Sequence, residues 1–160
     1  MTPALDPTHD WATEIGRLVI AFGSIEQVTM MCLRQLPRDP IHKATSRLQL
    51  APRIDLLCAV LSESDLEADK RLLEGLQRAR DLADKRNLIV HNPLILDVYK
   101  HDGGSRLIKK SIKSLRSSDK HFTFSDLRLA RNEAEALAAE LYAAAAAALE
   151  SKRSKPTPRG

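Results

Sequence analysis

The stretch Lys85-Arg86-Asn87-Leu88-Ile89-Val90-His91-Asn92-Pro93 lies where a long helical pattern ends against a proline. In front of it, apolar residues recur every three or four positions, which is typical of the buried face of a helix. These residues are Leu72, Leu76, Ala79 and Ala83. Arg86 occupies the next position of the same repeat, and Pro93 disfavours helical geometry at Asn92. The sequence therefore predicts a core helix that ends in an arginine, an amide and a histidine.

The spacing within this stretch constrains which side chains can meet. Asn87 and His91 are four residues apart, so they are neighbours on one helix face. Arg86 and His91 are five residues apart, which separates them by about 140° on a straight helix. We therefore expect Arg86 and His91 to converge only if the helix is distorted at its end or if a second chain closes the site.

Two helices are predicted on the N-terminal side. The first begins at a cap on Thr8 or Asp10 and continues until Pro37-Arg38-Asp39-Pro40 stops it. The second covers residues 53–62, with Pro52 in or near its first turn.

The helix that carries the Arg-to-His stretch is predicted to start near Ser64, because Ser64 and Glu67 have the spacing of a capping box. A last helix is predicted after an N-cap at Ser125, with an apolar stripe that extends from Leu127 to Ala148. Beyond residue 150, the Lys/Pro/Ser-rich tail predicts disorder.

A β-hairpin of about residues 94–116 is predicted between the third and last helices. Residues 94–99 are aliphatic and β-branched, residues 102–105 form a Gly-Gly turn, and residues 106–110 pair back. The alternative is a helix over 105–116, since three apolar residues there have helical spacing: Ile108, Ile112 and Leu115. Phe122-Thr123-Phe124 is a candidate third strand.

Composition favours one cytoplasmic domain. A chain of 160 residues with 43% hydrophobic content is normally a single domain with one core. Cys32 and Cys58 lie inside apolar runs, which is typical of reduced core thiols. Residues 1–6 lack the features of a secretory signal, and no window approaches about 18 uninterrupted apolar residues, so no membrane association is expected.

Basic charge is concentrated in two segments. Residues 100–121 hold seven Lys/Arg against two Asp, and residues 151–160 hold four more Lys/Arg, so the rest of the chain is net acidic. This asymmetry indicates either a polyanionic partner or a contribution to solubility alone. We predict that Lys109, Lys110 and Lys113 contact RNA phosphates. The segment lacks interleaved aromatics, so that binding should be salt-sensitive and poor in sequence information.

The Arg-to-His stretch has the groups that phosphate chemistry requires. A half-buried arginine needs an anion, either an internal carboxylate such as Asp84 or Glu26 or an external phosphate. Histidine beside a phosphate can take a proton from a 2′-hydroxyl or give one to a leaving oxygen, and Arg86 would stabilise charge on the phosphorus centre. Asn87 can orient the imidazole or bind a phosphate oxygen. Acid and base roles call for two groups, which a symmetric dimer would supply.

Two further residues are candidate supporting groups, and metal chemistry is not expected. Glu26 borders the apolar stripe of the first helix, and Asn92 follows the histidine. The five histidines are scattered without ligand spacing, so we predict no metal and no cofactor.

The Arg-to-His stretch resembles the motif of the HEPN family (higher eukaryotes and prokaryotes nucleotide-binding). In that motif four to six residues separate an arginine from a histidine, and the residue after the arginine is often Asn, Asp or His. Arg86, Asn87 and His91 match it with a four-residue spacer that begins with the asparagine. The resemblance implies a four-helix up-down bundle, with the hairpin placed in a longer crossover. It also implies a homodimer whose motifs face each other, and often metal-independent ribonuclease activity. Many members are toxins or defence factors, some paired with a nucleotidyltransferase-type antitoxin, and others only bind or act as scaffolds.

We therefore expect a mainly α-helical, HEPN-like bundle over residues 1–150 with a hairpin insertion between the third and last long helices, and a disordered tail over 151–160. The expected function is a homodimeric, metal-independent endoribonuclease or a toxin- or defence-type RNA-binding protein. The alternative is a non-catalytic helical dimerisation or adaptor domain in which Arg86 forms a structural ion pair.

Overall fold

Four helices and one small antiparallel sheet make up the part of the chain that the computed structural model describes, residues 8–35, 45, 47–100, 106–117 and 119–153. The helices are α1 (His9–Gln35), α2 (Leu50–Ser62), α3 (Glu67–His91) and α4 (Phe124–Arg153). The strands are β1 (Leu94–Lys100), β2 (Arg106–Lys113) and β3 (His121–Phe122), in the spatial order β1-β2-β3. The expected mainly helical fold is thereby confirmed, and a small three-stranded antiparallel sheet lies between α3 and α4 in the chain.

Helix α4 is the central packing partner, with α1 on one side and α3 on the other. It runs parallel to α1, since the ring centroids of Trp11 and Phe124 lie 5.2 Å apart at one end and Arg153 donates to Gln35 at the other. It runs antiparallel to α3, where Gly75 faces Leu141 so closely that an added Cβ would lie 2.8 Å from the leucine Cδ2. Glycine at this position allows the two helices to approach.

The predicted apolar faces form the core. The four stripe residues of α3 that precede Arg86 are all buried. Helix α2 adds Ile54, Leu57 and Leu61 to the core. Cys58, which was predicted to be a core thiol, is only half-buried. The sheet attaches to this core through β2, whose Ile112 is buried.

The hairpin is present, and the alternative helix over 105–116 is wrong. Strands β1 and β2 pair antiparallel in continuous register from Leu94 opposite Ile112 to Lys100 opposite Arg106. Alternating, partly β-branched side chains suit a pleated surface better than a helix, which explains the outcome. The predicted turn at 102–105 lies outside the described residues, as do the predicted stop at 37–40 and the end of the tail.

The start of α4 differs from the prediction, because Thr123 rather than Ser125 caps it. The Asp126 N–H donates to Thr123 Oγ1 at 3.2 Å, and the Thr123 N–H donates to Asp126 Oδ2 at 2.9 Å. This reciprocal pair is a capping box with Asp in place of Glu. It ends the third strand at Phe122, so Phe124 belongs to the helix.

Two other boundaries are corrected. The capping box predicted at Ser64 and Glu67 is wrong: Leu66 is the N-cap of α3, and the Ser64 hydroxyl donates to buried Asp69 at 2.5 Å. Residues 151–153 continue α4 as helix instead of starting a disordered tail, and Lys152 lies 3.4 Å from Asp69.

A charged cluster ties α1 to the first half of α4. Arg131 is buried and donates to Glu14 at 2.6 Å and to Glu135 at 3.0 Å, while Arg17 also donates to Glu135. Hydrogen bonds to Glu14 and Glu135 hold the pKa of Arg131 above its ordinary value. Burial opposes ionisation of Glu135, yet the bonds from Arg131 and Arg17 leave its pKa below the usual range.

Among the described helices, α1 is the one whose length and composition would permit it to cross a membrane, with a mean hydropathy of 1.3 over its most apolar window. Its buried side chains, including Leu18, Phe22 and Ile25, pack into the core. The core helix of a soluble protein has the same length and composition, and α1 is compatible with this reading.

Candidate functional site

Helices α1, α2 and α3 surround a surface cleft of about 470 Å³. The cleft contains all three residues predicted to be catalytic, Arg86, Asn87 and His91, together with Glu26. Its other lining residues are Gln49, Leu50, Ala51, Arg53 and Ala83. The four predicted residues from two distant parts of the chain therefore share one site.

Arg86 is half-buried and forms no ion pair with a carboxylate of the described residues. Its Nη1 donates to Asn87 Oδ1 at 3.1 Å, and its Nε is buried without a hydrogen-bond partner. The guanidinium carbon lies 6.0 Å from the ring centroid of Phe22. An arginine in this environment has an unneutralised charge to offer an external anion, together with Nη N–H groups that no described residue bonds.

The internal carboxylates considered from the sequence do not neutralise Arg86. Asp84 points instead to Arg80, which it meets at 3.4 Å. Glu26 is half-buried in the cleft, and its carboxylate has no ion pair or hydrogen bond with another described residue. Glu26 is therefore a second group, besides the imidazole, that can exchange a proton with a ligand in this cleft.

His91 reaches the cleft from a regular helix end. Helix α3 continues through His91, and the backbone becomes extended only at Asn92, with φ −124° and ψ 152°. A distorted helix end was one of the two conditions under which Arg86 and His91 were expected to converge, and it is absent, since α3 is helical through His91. Both residues nevertheless line the same cleft. The His91 side chain is exposed and has no hydrogen bond within the described residues, so Asn87 does not orient it here.

Asn92 is a structural residue rather than part of the cleft lining. Its Nδ2 donates to the Leu88 carbonyl at 2.7 Å, which caps the end of α3. Its Oδ1 accepts from the Leu115 N–H at 2.9 Å. Both ends of the amide are used, and they join the end of α3 to the chain that follows β2.

Arg53 is the site residue that the sequence reasoning missed. It is 8% exposed, and its Nη2 donates to the Leu48 carbonyl at 2.7 Å and its Nη1 to Thr29 Oγ1 at 3.2 Å. Its Nε is buried without a partner, like that of Arg86. Arg53 lies four positions before Leu57 on the apolar stripe of α2, so the rule that singled out Arg86 would have found it too.

The predicted phosphate-binding lysines lie on β2, outside the lining of the cleft. Lys109 is exposed and Lys110 half-buried. Lys113 is bonded to Asp97 at 2.6 Å, and that hydrogen bond raises the pKa of Lys113. Lys113 therefore already has an anionic partner.

Within the described ranges, no group of three or more His, Cys, Asp or Glu side chains is placed to hold a metal ion. The cysteines are not part of the cleft, and burial raises the pKa of Cys32 to about 11, which keeps this thiol protonated and unreactive. What the cleft can offer is cationic and proton-transfer chemistry from amino-acid side chains.

Comparison with protein-family models, with curated proteins and with solved structures finds no match to this chain.

Proposed function

We propose that this protein is a metal-independent endoribonuclease of toxin or defence type, working in the cytoplasm as a homodimer. The observation that carries the proposal is that Arg86, which has no carboxylate partner among the described residues, shares one cleft with His91. The HEPN resemblance of the Arg-Asn-x-x-x-His stretch and the helical bundle with its inserted hairpin support it. We extend the proposal to the finer fold, a HEPN-like four-helix bundle in which the parallel α1 and α4 depart from the strict up-down order.

The proposed reaction is attack of an RNA 2′-hydroxyl on the neighbouring phosphorus. A base in the cleft takes the hydroxyl proton, the 2′-oxygen bonds to phosphorus, and the bond to the 5′-oxygen breaks. An acid protonates that leaving oxygen, which gives a 2′,3′-cyclic phosphate and a 5′-hydroxyl end. Arg86 stabilises the charge on the phosphorane oxygens. His91 with Glu26, or His91 with its copy in a dimer, supplies the two proton-transfer groups.

Support for a protein partner comes from the hairpin. Leu96, Val98 and Ile108 are exposed on one face, and Tyr99 and Leu107 are exposed on the other. Exposed apolar surface of this kind is typical of interaction sites. We propose that a second copy covers it in the homodimer and that a nucleotidyltransferase-type antitoxin is a candidate regulatory partner.

The test is degradation of a single-stranded RNA in EDTA by wild type, His91→Ala and Arg86→Gln. We expect either change to lower the rate by at least about 100-fold, the scale of one acid–base or electrostatic group. Matched controls are His121→Ala, an exposed histidine outside the cleft lining, and Arg80→Gln on the same helix. Equal rates in all five proteins would show that the cleft is not the site.

The same hairpin surface favours the second candidate, a non-catalytic dimerisation or adaptor domain. The structural ion pair that this alternative assigned to Arg86 is absent among the described residues. An inactive wild type whose dimer dissociates in the variant Leu96→Lys/Val98→Lys would favour the adaptor over the ribonuclease.

A further inference from the structure

We propose that the cleft has a second phosphate subsite, formed by Arg53 and the N-terminus of α2, which holds the phosphate adjacent to the one at Arg86. The inference rests on the proposed function in that it takes the ligand to be RNA. It adds a residue, Arg53, and a requirement, a ligand with two neighbouring phosphates.

The first observation is the state of the Arg53 side chain. It is more than nine-tenths buried, and its hydrogen bonds go to neutral acceptors, the Leu48 and Glu26 carbonyls and Thr29 Oγ1. No carboxylate of the described residues pairs with it, and its Nε is unsatisfied. Burying a cation without an anion is costly, so a phosphate in the cleft beside Arg53 would offset a charge that no described carboxylate neutralises.

The second observation is the bare N-terminus of α2. Gln49 is its N-cap and makes no side-chain cap hydrogen bond, and no acidic residue lies in its first turn. The first backbone bond at this end is from the Arg53 N–H to the Gln49 carbonyl, at 3.2 Å. The N–H groups of Leu50 and Ala51 precede that bond, and both residues line the cleft. A helix N-terminus with free N–H groups and a partial positive charge is a favourable place for a phosphate.

The third observation is the charge balance of the cleft. Two arginines line it from separate helices, α2 and α3, and Glu26 is the one acidic residue among the described residues of the lining. A single phosphodiester at Arg86 and His91 would leave Arg53 without an anion. An oligonucleotide with a second phosphate beyond the scissile one would satisfy both arginines. The lysines of β2 lie outside the cleft lining and would contact more distant phosphates of the RNA.

The test uses binding rather than cleavage. The probes are two dinucleotides with a 2′-deoxy sugar at the scissile position, which cannot be cleaved by this route, one with a terminal phosphate and one without. We expect the terminal phosphate to tighten binding to wild type by about tenfold, as a charge-assisted pair does. Arg53→Gln should reduce this gain to less than about twofold, whereas Arg80→Gln should preserve it.

A second variant guards against loss of folding in Arg53→Gln. Gln49→Glu places a carboxylate at the bare helix end, where it should compete with the phosphate, abolish the gain and raise the melting temperature. Absence of the gain in wild type, or its persistence in both Arg53→Gln and Gln49→Glu, would overturn the subsite.

The two proposals fail separately. If His91→Ala and wild type both leave RNA intact while the terminal phosphate still tightens binding through Arg53, the subsite stands and the ribonuclease assignment falls. If wild type cleaves RNA through His91 but gains nothing from the terminal phosphate, the ribonuclease stands and the subsite falls.

Discussion

Arg53 of α2 and Arg86 of α3 line the same cleft, and each has a buried Nε that no described residue bonds. Buried or half-buried cations are normally paired, and neither arginine has a carboxylate partner among the described residues, so the positive charge of this cleft favours a bound anion. The relationship also separates this cleft from the Arg131 cluster, where the arginine is neutralised by Glu14 and Glu135.

Arg86 should lower the stability of the fold relative to an apolar residue at the same position. Because its half-buried cation has no carboxylate partner, we expect Arg86→Met to raise the free energy of unfolding by about 1 kcal/mol in low-phosphate buffer. Urea denaturation followed by circular dichroism measures this. The control Arg80→Met breaks contacts with Asp55 and Asp84 and should lower stability by less than about 1 kcal/mol. A clear loss of stability in Arg86→Met would make Arg86 a structural residue.

The cap of α4 predicts a pH-dependent difference. Hydrogen bonds from the Thr123 side chain and backbone hold the pKa of Asp126 below its ordinary value of 3.8. A lowered folded pKa means that this carboxylate stabilises the fold fully above its unfolded pKa and loses that effect as the pH falls through the folded value. Asp126→Asn should therefore be less stable than wild type at pH 7, with the gap closing below about pH 3.8. A gap that stays constant from pH 7 to pH 3 would exclude this cap carboxylate as the cause.

The same cap distinguishes two neighbouring hydroxyls. Thr123→Ala removes the acceptor for the Asp126 N–H and should lower the free energy of unfolding by about 1 kcal/mol. Ser125→Ala changes an exposed residue inside the first turn and should alter it by less than about 0.5 kcal/mol. Thermal or urea denaturation of the two variants side by side measures the contrast, and equal losses would contradict the capping geometry.

Asn92 should matter for the hairpin more than its position beside the motif suggests. Asn92→Ala removes bonds to the Leu88 carbonyl and the Leu115 N–H, so we expect a loss of about 1–2 kcal/mol. Hydrogen exchange should show faster exchange at Leu115. Asn87→Ala is the matched control, because among the described residues exposed Asn87 bonds only the Arg86 side chain, and it should leave exchange at Leu115 unchanged. Unchanged exchange in Asn92→Ala would remove the structural role assigned to it.

The lysines of β2 should contribute unequally to RNA binding. Exposed Lys109 should release a counterion on binding, so Lys109→Ala should reduce the slope of log affinity against log salt by about 0.7. Lys113→Ala should have a smaller effect, because Lys113 is bonded to Asp97. Fluorescence anisotropy between low and high salt measures both slopes. Affinity that is flat with salt in wild type would rule out this role for the lysines.

Periodicity predicted most of the fold because burial selects residues by type. The stripes of α1, α3 and α4 are apolar at helical spacing, and the hairpin was indicated by a β-branched run before a Gly-Gly turn. Helix ends were less predictable, because several hydroxyl residues compete as caps. Thr123 prevails over Ser125 because Asp126 lies three positions after Thr123 and can return the hydrogen bond.

The site residues that share one helix were predictable from the sequence, whereas those contributed by other helices were not. Arg86, Asn87 and His91 lie on one helix, so spacing alone brought them together as candidates. That Glu26 and Arg53 face them depends on how α1 and α2 pack on α3, which no local pattern encodes. A cation on an apolar stripe is the signal common to Arg53 and Arg86.

The two hydrogen bonds of Asn92, donated to the Leu88 carbonyl and accepted from the Leu115 N–H, couple the hairpin to the helix end that carries His91. Only Asn92 and Pro93 separate the imidazole-bearing residue from the first paired strand residue, Leu94. A molecule bound to the exposed face of the hairpin would act on His91 through these hydrogen bonds, without contacting it. The hairpin thus offers a route by which a bound protein could lower the activity of the cleft without entering it.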